Sequence, residues 1–390
     1  MAYYALCKAR LSFQLVRANE IKKGGLEGRP FLFVPGGWAS NKLASLGEEG
    51  KKAIMDFIRK GGRYFGICGG AGLATQEGLN LVSIKRKSST DRIPSFSGKI
   101  NLKLYPHPLW EGIKKPYSFY AWYPSQLSTD RGVIARFLKP DPFSFTSDVC
   151  IGDYHGADFF DWGGWEKNYG INLDPKRLYM EPAVVEEEYE NGKILLSLVH
   201  LDTPFDSKGL MVLTNVWKYL NGQVGDHVYL SKRDFNYNRK TKKLYRMAKD
   251  LFEFGRRNFL WYWRNHFLLM WRRGIRGLEY STLYVLLREI YMKVDEKELE
   301  YFGFQRFKVL EEMVEEFMSK SKKLLIMERE LLSKGPISWK NTENHAANLL
   351  REELFGTQKH HGGLFRKIAK ELEDLLYITY TGHLEKRHHS

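Results

Sequence analysis

Short apolar runs punctuated by glycine turns fill the first 220 or so residues, whereas apolar positions at three-four spacing take over from about residue 231. Phe31-Leu32-Phe33-Val34 is a compact apolar run stopped by Pro35-Gly36-Gly37, the pattern of a strand buried on both faces. A helix is predicted next. Ser45 and Glu48 have capping-box spacing, Ile54, Phe57 and Ile58 give one apolar face, and Gly61-Gly62 end it. Tyr64-Phe65-Gly66-Ile67 reads as a second buried strand, and Ala71-Gly72-Leu73-Ala74 as the opening of a second helix. "GKILLSLVHLD", Gly192 to Asp202, supplies a late apolar strand ending in His200 and Asp202. Strand alternating with helix predicts an α/β fold, a doubly wound, flavodoxin-like parallel sheet.

Beyond the glycines of "YLNGQVGDH", Tyr219 to His227, the pattern turns helical. Asp295 and Glu298 form a capping pattern ahead of Phe307, Leu310, Val314, Phe317, Leu324 and Leu331, with Ser321 and Glu328 filling the gaps in that seam. Gly335-Pro336 ends it, and further helices are expected around 342–355 and 364–380. Two domains follow from this change of period: an α/β domain over residues 1–222, and an all-α helical bundle, basic and aromatic-rich, over 231–390.

Charge sharpens the picture of the second part. The chain of 390 residues carries a formal net charge of +15, and residues 231–276 alone hold 14 Lys and Arg against 3 Asp and Glu. Such a patch suits nucleic acid, an acidic partner or an anionic surface. Within it, "FGRRNFLWYWRNHFLLMWRRGIRG", Phe254 to Gly277, interleaves arginines with aromatics. Arginine beside aromatics can stack on bases or lie at a membrane interface. The plainer reading is preferred: Phe259, Trp263, Phe267 and Met270 pack inward at helical spacing while arginine stems cover the bundle. No helix-turn-helix or nucleotide-binding signature supports the nucleic-acid reading.

Three cysteines, Cys7, Cys68 and Cys150, are widely spaced and contain no CxxC pair, which argues against a disulfide framework or zinc site. No run of about 18 apolar residues and no secretory signature occurs, so a cytoplasmic location and no transmembrane segment are expected. No cofactor and no metal are expected. His155, Asp158 and Asp161 in the aromatic loop Asp153–Gly170 meet no known ligand spacing, and His107 in "PHPLWEG" reads as structural.

The candidate chemistry lies in "GGRYFGICGGAGLATQEG". A nucleophile on a sharp strand-to-helix turn needs small neighbours, which Gly66, Gly69 and Gly70 supply around Cys68. The helix that follows aims unpaired N–H groups at the thiol. The competing reading is a small core cysteine beside a glycine turn. A nucleophilic thiol needs an imidazole and an orienting acid. His200 and Asp202, two apart on an extended chain, share one face and meet that need.

"FVPGGWASNK", "GGRYFGICGGAGLA" and "LLSLVHLDTP" together resemble the class I glutamine amidotransferase-like superfamily, most closely its biotin-protein ligase N-terminal-domain-like branch. The resemblance covers about residues 1–220. It implies Cys68 as nucleophile, His200 as base, Asp202 as the acid where the family usually has Glu, and the Gly36-Gly37 turn with Gly69 as the oxyanion pocket. The implied activity is that of a cysteine-dependent amidase or amidotransferase-like hydrolase acting on a small-molecule amide or ester. The alternative is a non-catalytic ligand-binding or scaffold protein, with the helical domain engaging a protein partner.

Overall fold

A computed structural model of the chain describes residues 1–154, 161–221, 235–335, 344–357 and 362–381. The chain divides into two compact units, Met1–Tyr229 and Leu230–Ser390. The Gly222–His227 part of the expected boundary, His155, Asp158 and Pro336 lie outside the described residues.

The first unit opens with helices α1 (Ala2–Lys8) and α2 (Ala18–Lys22). Then come β1 (Phe31–Val34), α3 (Ala39–Arg59), β2 (Arg63–Ile67) and α4 (Gly69–Ala74), at the places the apolar runs and glycines predict. Next are β3 (Lys85–Arg86), β4 (Phe96–Leu104), β5 (Ser118–Trp122), β6 (Leu127–Ser128), β7 (Val133–Pro140), β8 (Phe145–Thr146) and β9 (Val149–Cys150). The unit closes with α5 (Trp162–Tyr169), β10 (Pro182–Tyr189), β11 (Gly192–Ser197) and α6 (Ser207–Asn221).

Nine strands form one sheet in the order β1-β2-β11-β10-β7-β4-β8-β9, with β5 also paired to β4. The sheet is mixed, which corrects the expectation of a parallel one. β1, β2 and β11 run parallel, with Phe33 opposite Phe65 and Ile67 opposite Ser197. Every other pairing in the sheet is antiparallel. The physical reason is in the sequence: β10 and β11 are joined by the tight turn at Glu190-Asn191, which only antiparallel neighbours can use. Glu186, Glu187 and Glu188 on β10 also break the continuous apolar run that a doubly covered parallel strand needs.

The core of this unit runs through Leu32, Tyr64, Phe65, Ile67, Leu195 and Val216, all buried. Phe33 stacks on Phe65 at 5.0 Å between ring centroids, and Trp217 of α6 sets its edge against Phe31 and Phe33 at 4.9 and 5.5 Å. Burying rings of this size stabilises the parallel trio by several kcal/mol in all, at roughly 2 to 3 kcal/mol per large apolar side chain. The capping box expected at Ser45 and Glu48 does not form. α3 already starts at Ala39, the Ser45 hydroxyl donates to the Asn41 carbonyl within it, and the helix kinks at Gly47, where φ is +58°.

The second unit contains α7 (Lys242–Arg257), β12 (Trp261–Asn265), β13 (Leu268–Trp271), α8 (Gly277–Lys293), α9 (Glu296–Phe302), α10 (Phe304–Leu332), α11 (His345–Phe355) and α12 (Gly363–Thr381). It is helical but not all-α. The aromatic stretch expected to be one helix is a helix end and an antiparallel hairpin, with Trp261 opposite Trp271. Asn265 makes the turn by accepting the Phe267 and Leu268 N–H groups on its side-chain oxygen. Alternation then replaces helical spacing: Trp261 is buried, Tyr262 exposed, and Phe259 stands 83% exposed rather than packed inward. Met270 is buried on β13 and Trp263 rests on Phe252 at 4.5 Å, so two of the four expected inward positions do pack, on strands.

The capping box at Asp295 and Glu298 is present, with both reciprocal bonds at 2.8 Å, but it opens the short α9. Gly303 at φ +99° stops that helix, and the long α10 starts afresh. Phe307, Leu310, Val314, Phe317, Ser321, Leu324 and Glu328 form its buried seam. Glu328 is held there by Arg351 of α11, 2.7 Å from its carboxylate and likewise buried. Among the described residues no helix is long and apolar enough to cross a membrane.

Candidate active site

Why small residues surround Cys68 is answered by backbone crowding. Cys68 caps α4 with φ +50° and ψ −104°, a conformation rare for a side-chain-bearing residue. Its N–H donates to the Ser197 carbonyl at 2.8 Å, which ties the turn to the end of β11. A Cβ on Gly69 would sit 1.7 Å from the Gly37 carbonyl oxygen, and one on Gly70 2.0 Å from that of Val34. These glycines let the start of α4 press against the β1 turn. The spacing read from the sequence as clearance for a nucleophile is, in detail, clearance for the Pro35-Gly36-Gly37 backbone.

That contact brings the imidazole in. A Cβ on Gly36 would lie 2.9 Å from His200 Cε1, 3.7 Å from its Nε2 and 3.7 Å from the Cys68 Cβ, so only glycine leaves the ring its place beside the cysteine. His200 is fixed from behind: its backbone N–H donates to the Tyr120 carbonyl at 2.7 Å, and Nδ1 lies 2.9 Å from Asp202 Oδ1. β11 stops at Ser197, earlier than expected, and His200 and Asp202 meet through a turn in which Thr203 N–H donates to the His200 carbonyl. Their proximity therefore comes from a bend and not from a strand face. His200 Nε2 is buried and makes no hydrogen bond of ordinary geometry. The thiol reaches the carbonyls of Tyr123 and Trp122 at 3.6 and 3.8 Å, and Cys68 keeps 8% of its surface open.

Burial pushes the Cys68 thiol up, yet His200 and the Ser125 backbone N–H outweigh it and hold the thiol below its ordinary value. Burial likewise lowers His200, but Asp202 and Cys68 overcome it and raise the imidazole to about 10. Asp202, resisting its own desolvation, is held low by His200. The direction of all three shifts favours a thiolate and imidazolium backed by a carboxylate.

Several neighbours were not visible from the sequence. Tyr123, at φ +55°, aims its carbonyl at the thiol; Ser125 offers its N–H; Arg86 and Arg92 carry charge nearby. "YAWYPSQ" follows a strand and contains Pro124, a turn signal, but no local pattern ties it to Cys68. His107 is structural as expected: it accepts the Leu109 N–H on Nδ1 and meets Glu186 through Nε2 at 3.1 Å. Of the aromatic loop, Asp161 stands at the N-cap position of α5 without a side-chain capping bond, and Glu166 accepts the Leu173 and Asp174 N–H groups and pairs with Arg177 at 3.2 Å. No group of residues suited to a metal occurs among the described residues.

Residues 8–88 match the model of the family described as biotin-protein ligase, N terminal. The match takes in the Pro-Gly-Gly turn and the cysteine elbow, two of the three motifs that carry the resemblance, and bears that resemblance out. No curated protein matches the chain. Among solved structures, a cold-adapted β-galactosidase from Rahnella sp. R3 is 14% identical, with 56% of this chain and 26% of that chain covered at a TM-score of 0.33. A β-galactosidase from Bacillus circulans sp. alkalophilus is 12% identical, with 49% and 21% covered at 0.26. A cytoplasmic protein from Salmonella typhimurium LT2 is 12% identical, with 56% and 86% covered at 0.35. The chain thus spans about a quarter or less of the two β-galactosidases. Likenesses this loose fix neither activity nor substrate.

Proposed function

We propose that the chain is a cysteine-dependent hydrolase of amides or esters, amidotransferase-like in its machinery. The Cys68 thiolate attacks the carbonyl carbon, forming a C–S bond and a tetrahedral oxyanion. The N–H groups of Gly37 and Gly69, whose backbones touch, are the candidates to receive that charge; Gly69 lies in the first turn of α4, where donors lack helical acceptors. As the oxyanion collapses, the C–N or C–O bond breaks and the leaving group takes the Nε2 proton of His200. Water then attacks the thioester, giving its proton to Nε2, and the acid departs with the sulfur restored as thiolate. Asp202 keeps the imidazole oriented through both halves.

The observation that carries this reading is a buried imidazole with Nδ1 on a carboxylate and an uncommitted Nε2 beside a cysteine in a strained turn. The test is iodoacetamide labelling of the native chain at pH 7, followed by peptide mass spectrometry. Cys68 is expected to react at least about tenfold faster than Cys7 and Cys150, in keeping with a depressed thiol. Equal labelling of all three overturns the reading and leaves a ligand-binding fold.

A further inference from the structure

Two arginines beside Cys68 have no part in the chemistry so far. Arg86 lies on β3, opposite Leu127 of β6, and its Nε is 3.3 Å from where a Cβ on Gly72 would be. Gly72 donates its N–H to the Cys68 carbonyl at 2.9 Å, so this guanidinium stands over the first turn of α4. The same Gly72 position is 3.5 Å from Ser125 Oγ. Arg92 is tied to that segment by its neighbour: Ile93 N–H donates to the side chain of buried Gln126 at 2.7 Å, next to the Ser125 whose N–H faces the thiol. Each arginine has a buried Nε without a hydrogen-bond partner, and neither forms an ion pair among the described residues.

The surrounding cations are treated differently. Lys87 pairs with Glu181 at 2.8 Å and Arg177 with Glu166 at 3.2 Å. Among the described residues Glu77 is the acid whose charge couples to Arg86; it is exposed and spends one oxygen on both the Thr75 hydroxyl at 2.9 Å and the Arg86 backbone N–H at 3.4 Å. Burial and the charge of Arg86 hold Arg92 below its ordinary value, while Cys68 pulls the other way. Two half-buried like charges without a carboxylate between them are costly unless an anion joins them. A guanidinium fork fits a carboxylate or phosphate.

We propose that Arg86 and Arg92 form an anion subsite beside Cys68, so that the molecule presenting its carbonyl to the thiol also carries a carboxylate or phosphate group. This rests on Cys68 being the nucleophile, and the experiment separates the two ideas. In the full chain, Cys68 alkylation is timed with iodoacetate and with neutral iodoacetamide at one pH and ionic strength. In both reactions the thiolate forms a C–S bond and iodide leaves, so dividing the rates cancels the thiolate fraction. The ratio at Cys68 is expected to exceed that of the neutral thiol N-acetylcysteinamide by about tenfold, the scale of one charge-assisted hydrogen bond. In Arg86→Gln/Arg92→Gln it falls to the model value, and Arg86→Lys/Arg92→Lys retains part of the preference. A wild-type ratio equal to the model thiol, with Cys68 reactive toward iodoacetamide, overturns the subsite and leaves the nucleophile standing. If Cys68 reacts with neither reagent the nucleophile reading fails, and thermal unfolding decides the subsite. A midpoint raised by succinate or by inorganic phosphate over chloride at equal ionic strength, and lost in the Gln pair, supports it and tells carboxylate from phosphate; an unmoved wild-type midpoint overturns it.

Discussion

At the scale of single residues, the site is governed by what is missing from its glycines and by what surrounds one thiol. Gly69→Ala places a methyl 1.7 Å from the Gly37 oxygen, and a backbone atom cannot swing aside. We expect it to destabilise the chain by about 3 kcal/mol or more in urea unfolding, well beyond the usual surface substitution. The protonation states give a second expectation. His200 lowers the thiol, so the pH profile of Cys68 alkylation should have a midpoint below that of an ordinary cysteine. In His200→Asn, burial remains and the charge is gone, so the midpoint moves up. An unchanged profile would separate the ring from the thiol. His200 itself is raised to about 10, and its stabilising share is whole below an unfolded value near 6.5 and fades as pH climbs through 10. Asp202, held low, works from the other side: its share is present above its unfolded value and lost as acid protonates it.

At the scale of elements, legibility tracked punctuation. β1, β2 and the end of α3 were readable because Pro35, Gly36, Gly37, Gly61 and Gly62 stop apolar runs sharply. The cysteine turn and the His-x-Asp pair were readable as candidates for the same reason, though the bend that joins His200 to Asp202 was not. The hairpin at Trp261–Trp271 was misread because its aromatics fit a period of 3.6 as well as a period of 2, and only Asn265 and the packing of Gly255 decide. A Cβ on Gly255 would fall 2.2 Å from the Trp261 ring, so helix α7 and the hairpin need that glycine for contact. Tyr123 and Ser125 reach the thiol, and Arg86 and Arg92 come near that turn, through tertiary pairing, which local pattern does not encode. The α10–α11 seam yields its own prediction. Burial raises Glu328 to about 7 against the opposing pull of Arg351, and buried Glu279 shifts the same way. A raised carboxylate contributes its stability below its unfolded value near 4.5 and loses it as pH passes 7. Between pH 4.5 and 8, wild type should therefore lose roughly 3 kcal/mol more than Glu328→Gln, read from urea midpoints.

At the scale of the whole molecule, the chain holds two hydrophobic cores with no residue in common, one built around Phe65 and Trp217 and the other around Phe317 and Phe355. Every residue of the proposed chemistry belongs to the first unit. Residues 1–229 expressed alone should therefore keep the preferential alkylation of Cys68; loss of that preference in a folded fragment would assign residues 230–390 a direct part in the site. The basic stretch 231–276 belongs to the other unit.

Sulfur and imidazole belong to adjoining rails of one ladder, since Ile67 faces Ser197 across the parallel pair β2–β11 and each carries its group a few residues further on. The Cys68 N–H on the Ser197 carbonyl pins the two segments in register where the ladder ends, however much chain is spooled out between them.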